Sequence, residues 1–170
     1  MTEERYQPLL AEIGRVIVQY SQLEAALHSL VVMLIDDYEH ITRIIPAQLS
    51  FQQLRDLIVS LYRERHGEDR DLESIQSILA EAAGFKGDRD KIAHSRWVNA
   101  GCASLVTRVK SVAKEKCGYK TSVENLSVDN LSSLADSIHA LRMKLGSLAQ
   151  DLLDRKKLLE NPVYPNPINP

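Results

Sequence analysis

Two long stretches of the chain carry apolar residues at alternating spacings of four and three, and this pattern constrains the fold most strongly. The N-terminal seam consists of Leu9, Ile13, Val16, Tyr20, Leu23, Leu27, Leu30 and Leu34. The C-terminal seam consists of Leu131, Leu134, Ile138, Leu141, Leu145, Leu148 and Leu152. Such spacing lines one face of a helix, about seven turns long for the first seam. The sequence therefore predicts an all-α fold, an antiparallel bundle of about four to five helices.

Shorter helices are predicted between the two seams. Asp36, Asp37 and Tyr38 end the first helix. Ser50 with Gln53 three residues later forms a capping box, which opens a second helix. The second helix is expected to stop near Gly67, and a third helix follows it. The apolar residues of the second helix are Leu54, Leu57, Ile58 and Leu61, and those of the third are Leu72, Ile75, Leu79 and Ala82.

The segment Gly84-Phe85-Lys86-Gly87 predicts a break after the third helix, because two glycines in four residues disfavour a helix interior. Asp88 would then cap a short helix that begins at Arg89. Farther along, Ser127 is the predicted N-cap of the last long helix.

Residues 99–125 have a different character. The β-branched content of residues 103–110 favours a strand, and residues 117–123 are the candidate return strand of a small β-hairpin at about 103–123. The alternative is a helix extended through Val112 to Lys116. A Pro-rich tail over residues 159–170 follows a helical domain over residues 1–158, and an extended tail is expected there.

Length and composition indicate one ordinary globular domain. The chain has 170 residues, and its 5% aromatic content suits helices packed by Leu, Ile and Ala. The net charge of −2 argues against a generic nucleic-acid coat. No signal peptide or membrane span is predicted, and Cys102 and Cys117 are interpreted as reduced structural thiols, so a cytoplasmic protein is expected. No metal site and no cofactor are predicted, because the ligand spacings of a zinc site are missing.

The segment Arg89-Asp90-Lys91-Ile92-Ala93-His94 carries the candidate chemistry. Cleavage of RNA by its own 2′-hydroxyl needs a base, an acid and a cation that neutralises the phosphorane. His94 supplies a proton carrier near neutral pH, and the planar fork of Arg89 can hold two phosphate oxygens. If Arg89 lies in the first turn of a helix, free backbone N–H groups add to anion binding.

This segment resembles the motif of the HEPN superfamily, Arg-x4–6-His with a polar residue after the arginine. Arg89, Asp90 and His94 match it residue by residue, and the run from Arg89 to Trp97 is similar to an uncharacterised bacterial branch of the superfamily. The segment from Ser21 to Leu30 fits the first helix of that branch, and the resemblance covers most of residues 5–155. It implies a metal-independent endoribonuclease in a dimer, with a role in bacterial stress or phage defence and a protein partner such as an antitoxin.

The spacing of the pair raises a geometric problem. Five residues on a straight helix leave Arg89 and His94 about 140° apart, so they do not share a face. Either a break at residues 84–87 turns Arg89 inward, or a second copy completes the site. The resemblance favours the second alternative, because two motifs meet in one cleft in HEPN dimers.

Two carboxylates are candidates for orienting the pair. Glu24 falls in a row with Leu10, Ile17 and Val31, so it is either paired with Arg89 or His94, or solvated at the rim. Asp90 is either a second orienting group or a first-turn acid that favours the helix dipole. Both are included among the candidate catalytic residues.

Candidate RNA contacts follow the motif. Trp97 lies three residues after His94 and is expected on nearly the same helix face. It is either a core anchor or a platform on which a base stacks, and Arg96 lies beside it. Residues 101–120 hold five basic residues against one acid, as either a phosphate-binding patch or a solvated face; the five are Arg108, Lys110, Lys114, Lys116 and Lys120.

Two rival interpretations stay open. The first is a non-catalytic HEPN-like module that dimerises and binds a protein or nucleotide partner, which the low net charge favours. The second is a purely structural bundle in which the motif arose by chance.

Overall fold

The structure is a computed structural model that describes residues 7–35, 40–99, 105–114 and 118–160. Within these ranges the chain forms five helices and three strands. In chain order they are α1 (Gln7–Ile35), α2 (His40–Ala47), α3 (Phe51–His66), α4 (Arg70–Ala93), β1 (Arg96–Asn99), β2 (Leu105–Lys114), β3 (Gly118–Ser127) and α5 (Val128–Glu160).

The helices form a bundle in which α1 is the central element. It packs along α5 and also contacts α2, α3 and α4. Seven of the eight residues of the N-terminal seam are buried, and Ile13 packs against the core. Burial of each of these side chains contributes about 1.5–3 kcal/mol to folding. The predicted all-α bundle is confirmed, and both seams face its core.

The predicted helix termini are confirmed where the signal is a cap. The Ser50 hydroxyl accepts from the N–H of Gln53, and the Gln53 side chain accepts from the N–H of Ser50 at 2.9 Å. Gly67 ends α3 with φ of 77°, a conformation that side chains with a Cβ rarely adopt. Ser127 and Asn130 form the same reciprocal arrangement at the start of α5.

The predicted break at residues 84–87 is wrong, because α4 continues through it to Ala93. Its N-cap is Asp69, whose carboxylate accepts from the N–H groups of Asp71 and Leu72. Asp88 therefore caps no helix and instead forms an ion pair with Lys91 at 2.8 Å. Two helical glycines cost only about 1 kcal/mol each, and the packing of Ile92 in the core outweighs that local preference.

The predicted hairpin is confirmed as β2 and β3, which pair antiparallel from Leu105 opposite Ser127 to Lys114 opposite Gly118. The alternative helix is wrong for Val112 to Lys114, and residues 115–117 lie outside the described residues. Strand β1 was not predicted; it pairs with β2, with Trp97 opposite Arg108. Since Trp97 belongs to a strand, it does not share a helix face with His94.

Helix α2, which contains Pro46, was not predicted. Helix α5 extends to Glu160, two residues into the predicted tail. Residues 161–170, as well as Cys102 and Cys117, lie outside the described residues.

Helix α1 is long and apolar enough to cross a membrane by length and composition. Core helices pass the same test, and α1 lies at the centre of the bundle.

Candidate functional site

Arg89 lies near the C-terminal end of α4 and reaches toward α1. Its Nη2 lies 3.7 Å from Oε2 of Glu24, and its Nη1 lies 2.9 Å from Oδ1 of Asp90. The guanidinium carbon lies 4.8 Å from the centre of the Tyr20 ring. The Arg89 side chain is 25% exposed, so two carboxylates and an aromatic face hold the cation at the surface of the bundle.

Helix α1 supplies two of these three partners because of its periodicity. Tyr20 and Glu24 are four residues apart and lie on the same face. Tyr20 belongs to the seam and is fully buried, whereas Glu24 is offset toward the rim and its side chain is 33% exposed. Glu24 therefore lies at the rim and is also paired with Arg89, which combines the two alternatives that its position in the sequence allowed.

Asp90 lies between cations. Its Oδ2 accepts from Nζ of Lys86 at 2.7 Å, while Oδ1 faces Arg89. Burial alone would raise the pKa of Asp90, but the hydrogen bond from Lys86 and the charges of Lys86, Arg89 and His94 lower it below its ordinary value. Asp90 lies in the last turns of α4, so the interpretation as a first-turn acid is wrong. An acid at that end opposes the helix dipole, and the neighbouring cations offset this cost.

His94 is the C-cap residue of α4 and is exposed. Its backbone N–H donates to the carbonyl of Asp90 at 3.1 Å, which closes the last helical turn. The expected free N–H groups beside Arg89 are absent from α4, since this end of the helix presents carbonyl groups. A phosphate at this end of α4 must therefore be attracted by cationic side chains such as Arg89, and not by the helix backbone.

The continuous helix retains the angular separation of the two motif residues. Arg89 turns toward α1, and His94, about 140° away around the axis, is exposed to solvent. Of the two explanations for the spacing, the helix break is wrong. Completion by a second copy stays a prediction.

The predicted RNA contacts are distributed over the sheet. Arg96 is exposed on β1. Trp97 is half-buried against the core, and its indole N–H donates to the carbonyl of Ile92 at 3.2 Å, which is the geometry of an anchor between sheet and bundle. Lys116 lies outside the described residues, as do the side chains of the other four basic residues; only their strand positions are described, with Arg108, Lys110 and Lys114 on β2 and Lys120 on β3.

Tyr20 is the site residue that the sequence did not single out. Its hydroxyl is buried and has no hydrogen-bond partner among the described residues. Burial, together with the nearby charge of Glu24, raises the pKa of this hydroxyl despite the opposing effect of Arg89. The available signal was a tyrosine in a seam of aliphatic residues, four positions before the only acid in the neighbouring row.

Comparisons with known proteins gave no match: no protein-family model, no curated protein and no solved structure matches the chain. Within the described ranges, no three side chains of the His, Cys, Asp or Glu type are grouped as they would be around a metal ion.

Proposed function

We propose that the protein is a metal-independent endoribonuclease of the HEPN type that acts as a homodimer. The observation that carries the proposal is the arrangement of Arg89, which Tyr20, Glu24 and Asp90 hold at the end of the helix that also presents the exposed His94. An oriented guanidinium and an accessible imidazole supply the cation and the proton carrier that metal-free cleavage of RNA requires, and a dimer can bring the two together.

In the proposed reaction the 2′-hydroxyl attacks the adjacent phosphorus as an imidazole takes its proton. The bond from phosphorus to the 5′-oxygen breaks, and a protonated imidazole returns a proton to that oxygen. The products are a 2′,3′-cyclic phosphate and a 5′-hydroxyl. Arg89 neutralises the charge on the non-bridging oxygens, and DNA is not cleaved because it lacks the 2′-hydroxyl.

Arg89 keeps donors for this role despite its two carboxylate neighbours. The separation of 3.7 Å from Glu24 exceeds a hydrogen bond, so that contact is electrostatic. A guanidinium has five N–H donors in a fixed plane, and its partners here orient that plane without using all of them.

The dimer supplies the second half of the proposed site. Since Arg89 and His94 diverge on one helix, we propose that the Arg89 of one copy acts with the His94 of its partner. Exposed apolar side chains on α1, Leu10 at 54% and Val18 at 53%, provide surface for such an interface. We further propose a cytoplasmic role in bacterial stress or phage defence, with an antitoxin or another defence component as protein partner.

The decisive experiment is incubation of the purified protein with total RNA in EDTA. We expect cleavage with cyclic-phosphate ends and intact DNA. His94→Ala abolishes turnover, and Arg89→Lys also fails because an ammonium replaces neither the planar fork nor its contact with the Tyr20 ring. His139→Ala is the matched control, since His139 is exposed on α5. Cleavage that persists in His94→Ala, or that requires magnesium, would contradict the assignment.

A second candidate is a non-catalytic module that dimerises and binds a partner. The pairing of Arg89 with two carboxylates favours it, because such a cation can hold α1 and α4 together without meeting a phosphate. A dimer verified by light scattering that cleaves no RNA would establish this alternative over the enzyme.

A further inference from the structure

A cavity of about 260 Å³ lies on another side of α4, where the helix meets β3 and α5. Its apolar lining includes Ile92, Leu131 and Leu134, and its polar lining includes Asp88, Lys91 and Asn130. The volume falls below the roughly 300–1,000 Å³ of sites for drug-sized ligands, so the cavity suits a small planar group such as one nucleobase. An apolar floor with polar groups at one edge can hold a nucleobase, because the face of the base packs on the apolar side chains and its edge forms hydrogen bonds.

The charges of the cavity favour a base over a phosphate. Asp88 and Lys91 line it as an ion pair, so the pair offers no net positive charge to a phosphate. Carboxylate oxygens accept from the N–H groups of a base. The Oδ1 of Asn130 accepts from the N–H and the hydroxyl of Ser127, so the side-chain carbonyl is committed to the helix cap.

The Asp88–Lys91 pair matches one base edge in particular. The Nζ of Lys91 lies 2.8 Å from Oδ1 of Asp88, so the pair presents a donor beside two acceptor oxygens. The Watson–Crick edge of guanine presents the complement, the O6 acceptor beside the N1–H and N2–H donors. Adenine, cytosine and uracil each lack two adjacent donors, and a site built for them discriminates against bases without them.

The cavity is also next to the proposed reaction centre along the helix. Lys91 precedes His94 by three residues, about 4.5 Å of rise along the axis of α4. We infer that this cavity binds a guanine base next to the scissile phosphate and makes the enzyme selective for phosphodiesters with guanosine on one fixed side. This inference rests on the proposed ribonuclease function for its biological meaning, but its binding step is measurable without cleavage.

The first test measures the binding of nucleosides to the full-length His94→Ala protein by NMR titration. We expect guanosine to shift the resonances of Lys91 and Asn130, with adenosine, cytidine and uridine binding at least tenfold more weakly. Asp88→Asn and Lys91→Gln each lower guanosine affinity at least tenfold. The control is Asp56→Asn, which changes an exposed carboxylate in a separate cavity between α3 and α4.

The second test maps the cleavage sites of the unaltered protein on a random-sequence RNA pool. Guanosine at one fixed side of every major cut, and loss of that preference in Asp88→Asn, supports the inference. Equal binding of the four nucleosides, or no binding, overturns it. Cleavage without base preference also overturns it and leaves the ribonuclease function standing. Selective guanosine binding without cleavage of any RNA supports the cavity assignment and removes the enzymatic function.

Discussion

At the scale of single residues, the ring and the hydroxyl of Tyr20 have different environments. The ring lies under Arg89, while the buried hydroxyl has no partner among the described residues. We expect Tyr20→Phe to keep the contact with Arg89 and to raise the free energy of unfolding by about 1 kcal/mol, since it removes an unsatisfied polar group. Urea denaturation measures this change, and a loss of stability instead would reveal a partner for the hydroxyl.

The companion variant tests the ring itself. Tyr20→Leu keeps an apolar side chain but removes the aromatic face, which is worth about 0.5–2 kcal/mol to a neighbouring cation. RNA cleavage is therefore expected to fall in Tyr20→Leu and to stay at its original level in Tyr20→Phe. Equal activity of the two variants would show that the ring does not orient Arg89.

The charge of Glu24 is the second feature that orients Arg89. We expect Glu24→Gln to reduce RNA cleavage severalfold, because Arg89 loses one of the two charges that orient it. Stability changes by about 1 kcal/mol or less, as for other partly exposed ion pairs. The matched control is Glu12→Gln, which removes an acid that pairs with Arg15 on the same helix at 3.3 Å. An activity loss of equal size in both variants would contradict the role of Glu24.

At the scale of elements, the continuity of α4 sets the geometry of the motif. A Cβ added at Gly84 meets nothing within 4 Å, whereas Gly67 has a φ of 77°. We expect Gly84→Ala to stabilise the protein by about 0.5–1 kcal/mol with cleavage unchanged. Gly67→Ala is expected to cost about 1–3 kcal/mol, because alanine is strained in that conformation. Thermal and urea denaturation compare the two, and destabilisation by Gly84→Ala would argue for a bend at that position.

Trp97 anchors the strands to the bundle at the end of α4. The chain leaves the helix at His94 and enters β1, where Trp97 packs back on the core and donates to Ile92. This connection positions the cavity between α4, β3 and α5 next to the motif. His94 is therefore held between α4 and β1, which both pack against the same core.

At the scale of the whole molecule, the proposed site consists of two copies. We expect the Arg89→Ala and His94→Ala homodimers to be inactive. Their heterodimer, co-expressed and purified through two separate tags, is expected to regain about half of the activity of the unaltered dimer, because one of its two composite sites keeps both residues. Recovery occurs because the Arg89 of one chain meets the His94 of the other. Light scattering at tens of micromolar checks that both variants remain dimers, and the absence of recovery in verified heterodimers would place the pair within one chain.

Several features follow from the sequence because their causes are local. The four-three seams predict α1 and α5, since side-chain spacing alone decides which face of a helix is apolar. Ser50, Gly67 and Ser127 mark helix ends because each cap is made by residues within a few positions of one another. The pairing of Glu24 with Arg89 was an available alternative, because a carboxylate in an apolar row needs a partner.

The remaining features depend on contacts between distant parts of the chain. Residues 84–87 are helical because core packing on both sides of the glycines outweighs their weak helix propensity. Tyr20 belongs to the site because α1 and α4 cross where its ring meets Arg89, residues that lie far apart in the sequence. Spacing along the chain predicts that Arg89 and His94 diverge on a continuous helix. Only the tertiary structure decided that α4 continues through the glycines to Ala93, because helix propensity is local and core packing joins distant residues.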